Sequence, residues 1–224
     1  MILNGGFYKN DIINALNNKT IKLLSSNMQN FIKTIFPKIK NNDVITCRKC
    51  NGNNINMSIQ VSNTIKYISI KTGNTSIVFK GNIYKFIAKL MILDVSDKTI
   101  NSILKYFKRE SIEYSGSLLQ ETFKNEIEIV KKEFENPVLL SKFIDLLILE
   151  ENGVKIDFFY YGNLKRGFTV NTIDFKKRLI MNRDNYPHNF MRLGPFNFIS
   201  LNANKKADYN DLCQLRINNI SKFF

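Results

Sequence analysis

The chain has 224 residues, 44% hydrophobic and 23% charged, a balance that excludes a wholly disordered protein. Its formal charge of +14 makes a polyanion the first partner to consider and an anionic membrane surface the second. No apolar run reaches the length of a bilayer-spanning helix, and three cysteines cannot all pair.

Residues 1–6 lack a basic segment followed by an apolar one, so no signal peptide is expected, and the expected location is the reducing cytoplasm. Phe7, Ile12, Ile13, Leu16, Ile21, Leu23, Leu24, Met28, Phe31, Ile32 and Ile35 recur at helical spacings, which predicts helices up to Pro37. Ile55, Met57, Ile59 and Val61 alternate with Asn56, Ser58 and Gln60, the pattern of a half-buried strand. Ser62-Asn63-Thr64 is a turn, 65–71 a second strand with Ile68 and Ile70 on one face, and 76–79 a short third.

Helical periodicity returns at 83–92, at 97–107 behind a Ser96 or Asp97 cap, and at 117–134. Another helix covers 138–149, opened by Asn136-Pro137 and closed by Asn152-Gly153 as a C-cap. The β pattern resumes at 156–161 and 168–170, Thr172 caps a short basic helix through Leu179, and strands follow at 196–201 and 212–217. This order predicts one α+β domain over 1–224: a central mixed β-sheet with flanking helices, onto which the helical segment 1–40 packs.

The charge is uneven. Residues 1–100 hold 14 Lys+Arg against 4 Asp+Glu, residues 101–155 hold 8 against 10, and residues 156–224 hold 11 against 5. The 31 asparagines and the absence of Trp suggest AT-rich coding, so codon drift explains part of the lysine excess. Two basic sections around an acidic middle nevertheless suit a nucleic-acid surface. Lys165-Arg166 lies between Gly162 and Gly167, where backbone can approach a phosphate. Lys176-Lys177-Arg178, Arg183 and Arg192 are interleaved with Phe175, Tyr186 and Phe190, and Lys205 and Lys206 sit at an expected hairpin tip. DNA is the expected partner, RNA is also compatible, and a homodimer or a protein partner is open. No helix combines a strongly basic face with a large apolar one, which argues against a membrane surface.

The strand Tyr67-Ile68-Ser69-Ile70-Lys71-Thr72-Gly73 puts Ser69 and Lys71 on one face. With the preceding Asn54-Ile55-Asn56-Met57-Ser58-Ile59, it resembles the core of type II restriction endonucleases of the PD-(D/E)XK kind and their Ser-Ile-Lys relatives. The likeness runs in order over residues 45–220. Ser141 to Ile144 and Ile156 to Gly162 are like the family's downstream helix and strand. Leu193-Gly194-Pro195 and Gln214 to Ile217 are like its C-terminal β element.

The resemblance implies a restriction-endonuclease-like fold and Mg²⁺-dependent hydrolysis of DNA phosphodiesters. Acids would hold the metal, Lys71 would orient the water, and Ser69, Asn54 and Asn56 would occupy the remaining catalytic positions. This sequence departs from that pattern. The family's metal-binding Asp falls on Asn54 or Asn56, its second acid on Ser69, and the His-Gln-Glu segment of Ser-Ile-Lys relatives on Phe79-Lys80-Gly81. Neutral groups bind Mg²⁺ far more weakly than carboxylates. Two readings follow. One is an enzyme with a relocated acid, for which Asp11, Asp43 and Asp157 are the candidates. The other is a non-catalytic relative that binds DNA or a protein, as a silent subunit, a regulator or a phage-encoded inhibitor.

Cys47-Arg48-Lys49-Cys50 has the spacing of half a zinc site, with Cys213 and His188 as the remaining ligand types available. Two partly buried thiols at a loop–strand junction are the alternative.

Overall fold

The computed structural model describes residues 5–52, 54–73, 75–108, 121–182, 191–201 and 211–224, and for residues 5–8 and 75 the backbone alone. Arg183, Lys205, Lys206 and His188 lie outside the described residues. The protein is mixed α+β and divides into two compact units, Met1–Ser76 with Leu149–Phe175 and Asn219–Phe224, and Ile77–Ile148 with Lys176–Asn218.

The first unit is built on a six-stranded sheet. The predicted N-terminal helical region forms α1 (Gly5–Leu16) and α2 (Ser26–Ile35), separated by the short strand β1 (Lys19–Thr20) and a single 3-10 turn. Then come β2 (Val44–Lys49), β3 (Met57–Val61) and β4 (Thr64–Lys71), followed later in the chain by β8 (Phe158–Gly162) and β9 (Gly167–Asn171). The order is β1-β2-β3-β4-β8-β9, antiparallel throughout except for the parallel pair β4 and β8. The expected hairpin is present. Val61 pairs with Thr64 and Met57 with Ile68, around a turn in which Ser62 takes φ 51°.

Strand alternation decides what each face buries. Ile45, Cys47, Met57, Ile59, Ile68, Ile70 and Tyr160 join Ile12, Ile13, Leu16, Phe31 and Ile32 of α1 and α2 in one apolar core. The opposite face of β8 is covered differently. Phe159 stacks on Phe175 with ring centroids 4.0 Å apart, and Tyr161 meets Phe224 at 5.3 Å.

Gly162 has φ +136°, and a Cβ there would lie 2.2 Å from the Arg166 carbonyl oxygen across the β8–β9 turn. Gly162→Ala should therefore cost roughly 2–4 kcal/mol, read as a lower urea midpoint at unchanged slope.

The second unit carries α3 (Ile83–Ile92), α4 (Asp97–Phe107), α5 (Lys124–Phe134) and α6 (Pro137–Ile144). Its four-stranded sheet has the order β10 (Arg192–Leu193), β11 (Phe196–Ser200), β12 (Leu212–Asn218) and β5 (Thr75–Asn82). So the strands form more than the one central sheet expected. Capping follows the sequence: the Ser96 hydroxyl accepts from Thr99 N–H, and Asn136 accepts from Val138 and Leu139 N–H ahead of Pro137. Phe86, Phe134, Phe143 and Phe198 form the aromatic centre of this unit.

Two elements differ from expectation. The helix predicted over 138–149 ends at Ile144 and continues as a π turn over Asp145–Leu149. Asn152-Gly153 does not cap it. Both residues have positive φ, 52° and 77°, and they form the two-residue turn between β6 (Glu150–Glu151) and β7 (Val154–Lys155). Asn-Gly is the pair that such a tight hairpin demands. The basic helix predicted behind a Thr172 cap is α7 (Thr172–Met181), but its start is capped by Asn171, whose Oδ1 accepts from Asp174 N–H, while the Thr172 hydroxyl donates to the Ile156 carbonyl.

Candidate functional site

The first unit places the four family-matched positions at the end of the β3–β4 hairpin. Pairing between the two strands ends at Met57 opposite Ile68, so β4 runs on past it through Ser69 to Lys71. Asn56 bridges the gap. Its N–H donates to the Ile68 carbonyl, and its Oδ1 accepts from Ile70 N–H at 2.7 Å. Asn56 thus extends the ladder with its side chain. Asn54, Asn56, Ser69 and Lys71 are all buried, and the Ser69 hydroxyl has no hydrogen-bond partner among the described residues.

Lys71 is only 4% exposed. Burial brings its ammonium down from the ordinary 10.5 to about 7, and the like charge of Lys9 adds to the effect. Glu151 opposes both, favouring the charged form. Burial also lowers Lys9.

Neither Lys9 nor Glu151 is among the residues singled out from the sequence. Lys9 lies four and seven residues before Ile13 and Leu16, at the head of the buried stripe of α1, and is itself half-buried. A cation in line with an apolar stripe was the available signal. Glu151 comes from the β6–β7 hairpin, whose Asn-Gly turn flanked by short segments was also legible.

The Glu151 carboxylate is held by backbone. Its Oε2 accepts from Asn54 N–H at 3.2 Å and from Ile55 N–H at 3.0 Å, and it packs against the Cα of Gly52. Cys50, Asn51, Gly52, Ile55, Tyr67, Glu151, Asn152 and Val154 line a cleft of about 340 Å³. The acids proposed from the sequence have other work. Asp157 pairs with Lys66 at 2.8 Å and accepts from Tyr67 N–H, Asp43 accepts from Lys40 N–H, and Asp11 is exposed.

These donors do not fit Mg²⁺. The ion needs near-octahedral oxygen ligands and at least one carboxylate free to turn toward it. The Asn56 oxygen is committed to Ile70, Ser69 is neutral, and the Glu151 carboxylate accepts from two backbone N–H groups. No hydrolytic step through a metal is derived for this site.

Cys47 faces the apolar core, where burial pushes its thiol up to about 12, while Cys50 lines the cleft. Cys213 is buried in β12 of the other unit. Among the described residues, no three His, Cys, Asp or Glu side chains converge as a metal site.

The basic candidates separate by exposure. Lys165 and Arg166 are exposed on the β8–β9 turn, which Asn163 fixes by accepting from both of their N–H groups at 2.9 and 3.1 Å. Lys177 is exposed, Arg178 half-buried, and Lys176 pairs with Asp145 at 2.6 Å. Arg192 corrects the expectation of a surface contact. It is 9% exposed, and its Nε donates to Asn197 across the β10–β11 pair. No helix among the described residues is long and apolar enough to cross a membrane. A search of protein-family models and of curated proteins finds no match for the chain.

Proposed function

We propose that this protein binds nucleic acid, duplex DNA in the first place, as a non-cutting relative of the restriction-endonuclease-like proteins. The observation that carries the reading is Lys71, buried beside Ser69 on the face of a hairpin strand that lacks a pair of carboxylates. A buried ammonium at the corresponding position serves phosphate chemistry in the resembled family, and the missing acids remove the metal-dependent step. The charge of +14 supports a polyanionic partner. Mg²⁺-dependent hydrolysis is the second reading, and it would require Glu151 to leave its backbone partners.

Binding to a duplex should weaken steeply with salt, because neutralised phosphates release counterions. Replacing the exposed Lys165, Arg166 and Lys177 together by Ala should lower the slope of log affinity against log salt by about 2–3. An unchanged slope would show that these three cations do not touch phosphate, and tighter binding to an RNA duplex would redirect the assignment. Plasmid incubated with the protein in Mg²⁺ or Mn²⁺ should stay intact. Cuts that vanish in Lys71→Ala would establish the second reading instead.

A further inference from the structure

β9 is the last strand in the order of the six-stranded sheet, and Phe168 stands on it 57% exposed. A single exposed apolar side chain is ordinary. The setting of this one is not. Register puts Phe168 directly opposite Tyr161, on the face turned away from the core shared with α1 and α2. Side chains opposed in this way share a face, with Cβ atoms about 4.5–5.5 Å apart. Further rings back that face: Tyr161 lies 5.3 Å from Phe224, and Phe224 lies 5.5 Å from Phe175. Among the described residues no ring packs on Phe168 itself.

Two cations stand at the head of the same strand. Lys165 and Arg166 are exposed, and neither pairs with an acid among the described residues, whereas Lys176 is held by Asp145. Their backbone is fixed. The Asn163 N–H donates to the Arg166 carbonyl at 2.9 Å, and the Asn163 Oδ1 accepts from the N–H groups of Lys165 and Arg166. The turn therefore has little backbone freedom left to lose on binding. Arg166 precedes Phe168 by two residues, roughly 7 Å of extended chain. One nucleotide spans such a distance from its base to its phosphate.

We propose that Phe168 is a stacking platform for one unpaired nucleobase, with Lys165 and Arg166 holding the phosphates beside it. This deepens the nucleic-acid reading and rests on it: the favoured ligand is a duplex that carries an extruded or overhanging base. Every base has a π face, so a bare phenyl ring takes an unpaired base without reading its sequence, while the cations neutralise the backbone. A base inside a duplex is stacked between its neighbours and offers no such face.

The test uses the full chain with a labelled duplex containing one bulged base, and with the same duplex made abasic at the bulge, which keeps every phosphate. The wild type should hold the bulged base about tenfold more tightly. Phe168→Ala should bind both duplexes equally at an unchanged salt slope, since no charge is removed, and Phe168→Tyr should keep the preference. Equal wild-type affinity for the two duplexes would sink the platform and leave the nucleic-acid reading standing. A Phe168→Ala change that only abolishes self-association would assign the ring to a second copy of the chain and overturn the proposal.

A second arm needs no duplex. The chain has no Trp, so Phe168→Trp places its only indole on the platform. Adenosine monophosphate should quench that fluorescence saturably, and ribose phosphate, which lacks the base, should not. Val44→Trp, at a similarly exposed position (55%) on β2, reports collisional quenching. If no DNA is held in any buffer, the nucleic-acid reading fails, and this arm still decides the platform. Equal quenching in the two variants, or none in either, refutes it.

Discussion

Between about pH 7 and 9 the folded state should gain stability as pH rises, and Lys71→Met should remove most of that gain. The sign follows from where the proton is held. Lys71 keeps its proton up to about pH 7 in the fold and up to the ordinary 10.5 in the unfolded chain. In that interval the unfolded state binds more protons, so raising pH favours the fold. Below pH 7 both states are protonated and the penalty is complete, with an upper limit of roughly 5 kcal/mol. Lys9 shifts in the same direction.

The buried thiols act oppositely. Cys47 and Cys213 titrate at the ordinary 9.0 when unfolded and at about 12 in the fold, so stability is lost again above pH 9. Urea midpoints at several pH values should trace a maximum near pH 9. Lys71→Met, which fills similar space without charge, should be more stable than wild type at pH 7 by a few kcal/mol. It should also hold nucleic acid less tightly, a stability cost that a functional site tolerates. A flat profile, or a Met variant weaker than wild type at pH 7, would mean that Lys71 is compensated in the fold.

Gly52→Ala should be among the most damaging small substitutions in the first unit. A Cβ there would lie 2.0 Å from Glu151 Oε2 and 2.6 Å from its Cδ, so the carboxylate has to leave the Asn54 and Ile55 N–H groups. Breaking those charged hydrogen bonds should cost roughly 2–3 kcal/mol, and Glu151→Ala should cost about the same. The two losses share one cause, so the double variant should be about as stable as either single one. Additive losses would separate Gly52 from the carboxylate. Glu151→Gln should also let the Lys71 proton leave at lower pH, because the acid that favours the charged form is gone. The rising limb of the stability profile would then begin below that of the wild type.

Local features written in side-chain period or cap chemistry were legible in the sequence. Alternation over 55–61 and 65–71 fixes the hairpin, since a slip of one residue would turn Ile59, Ile68 and Ile70 out of the core. Ser96 and Asn136 announce helix starts because their side chains satisfy the first free N–H groups. The α+β class and the shared face of Ser69 and Lys71 follow from the same periodicities. The chain by itself also has Asn54, Asn56 and Ser69, all neutral, where the family it resembles carries acids.

Partnership across sequence distance was decided only in three dimensions. Asn152-Gly153 serves a helix end or a hairpin equally well, and only the pairing of Glu150 with Lys155 selects the hairpin that carries Glu151 to the loop after β2. Asn56 reads as a failed metal ligand until its amide is seen completing a ladder with Ile70. Arg192 reads as a surface cation until the β10–β11 pair buries it against Asn197. Lys9 and Lys71, 62 positions apart, belong to one compact unit, where the like charge of Lys9 disfavours the charged form of Lys71. Periodicity reports which side of an element is buried, whereas the energy of a charge depends on what else is buried beside it, and tertiary packing sets that.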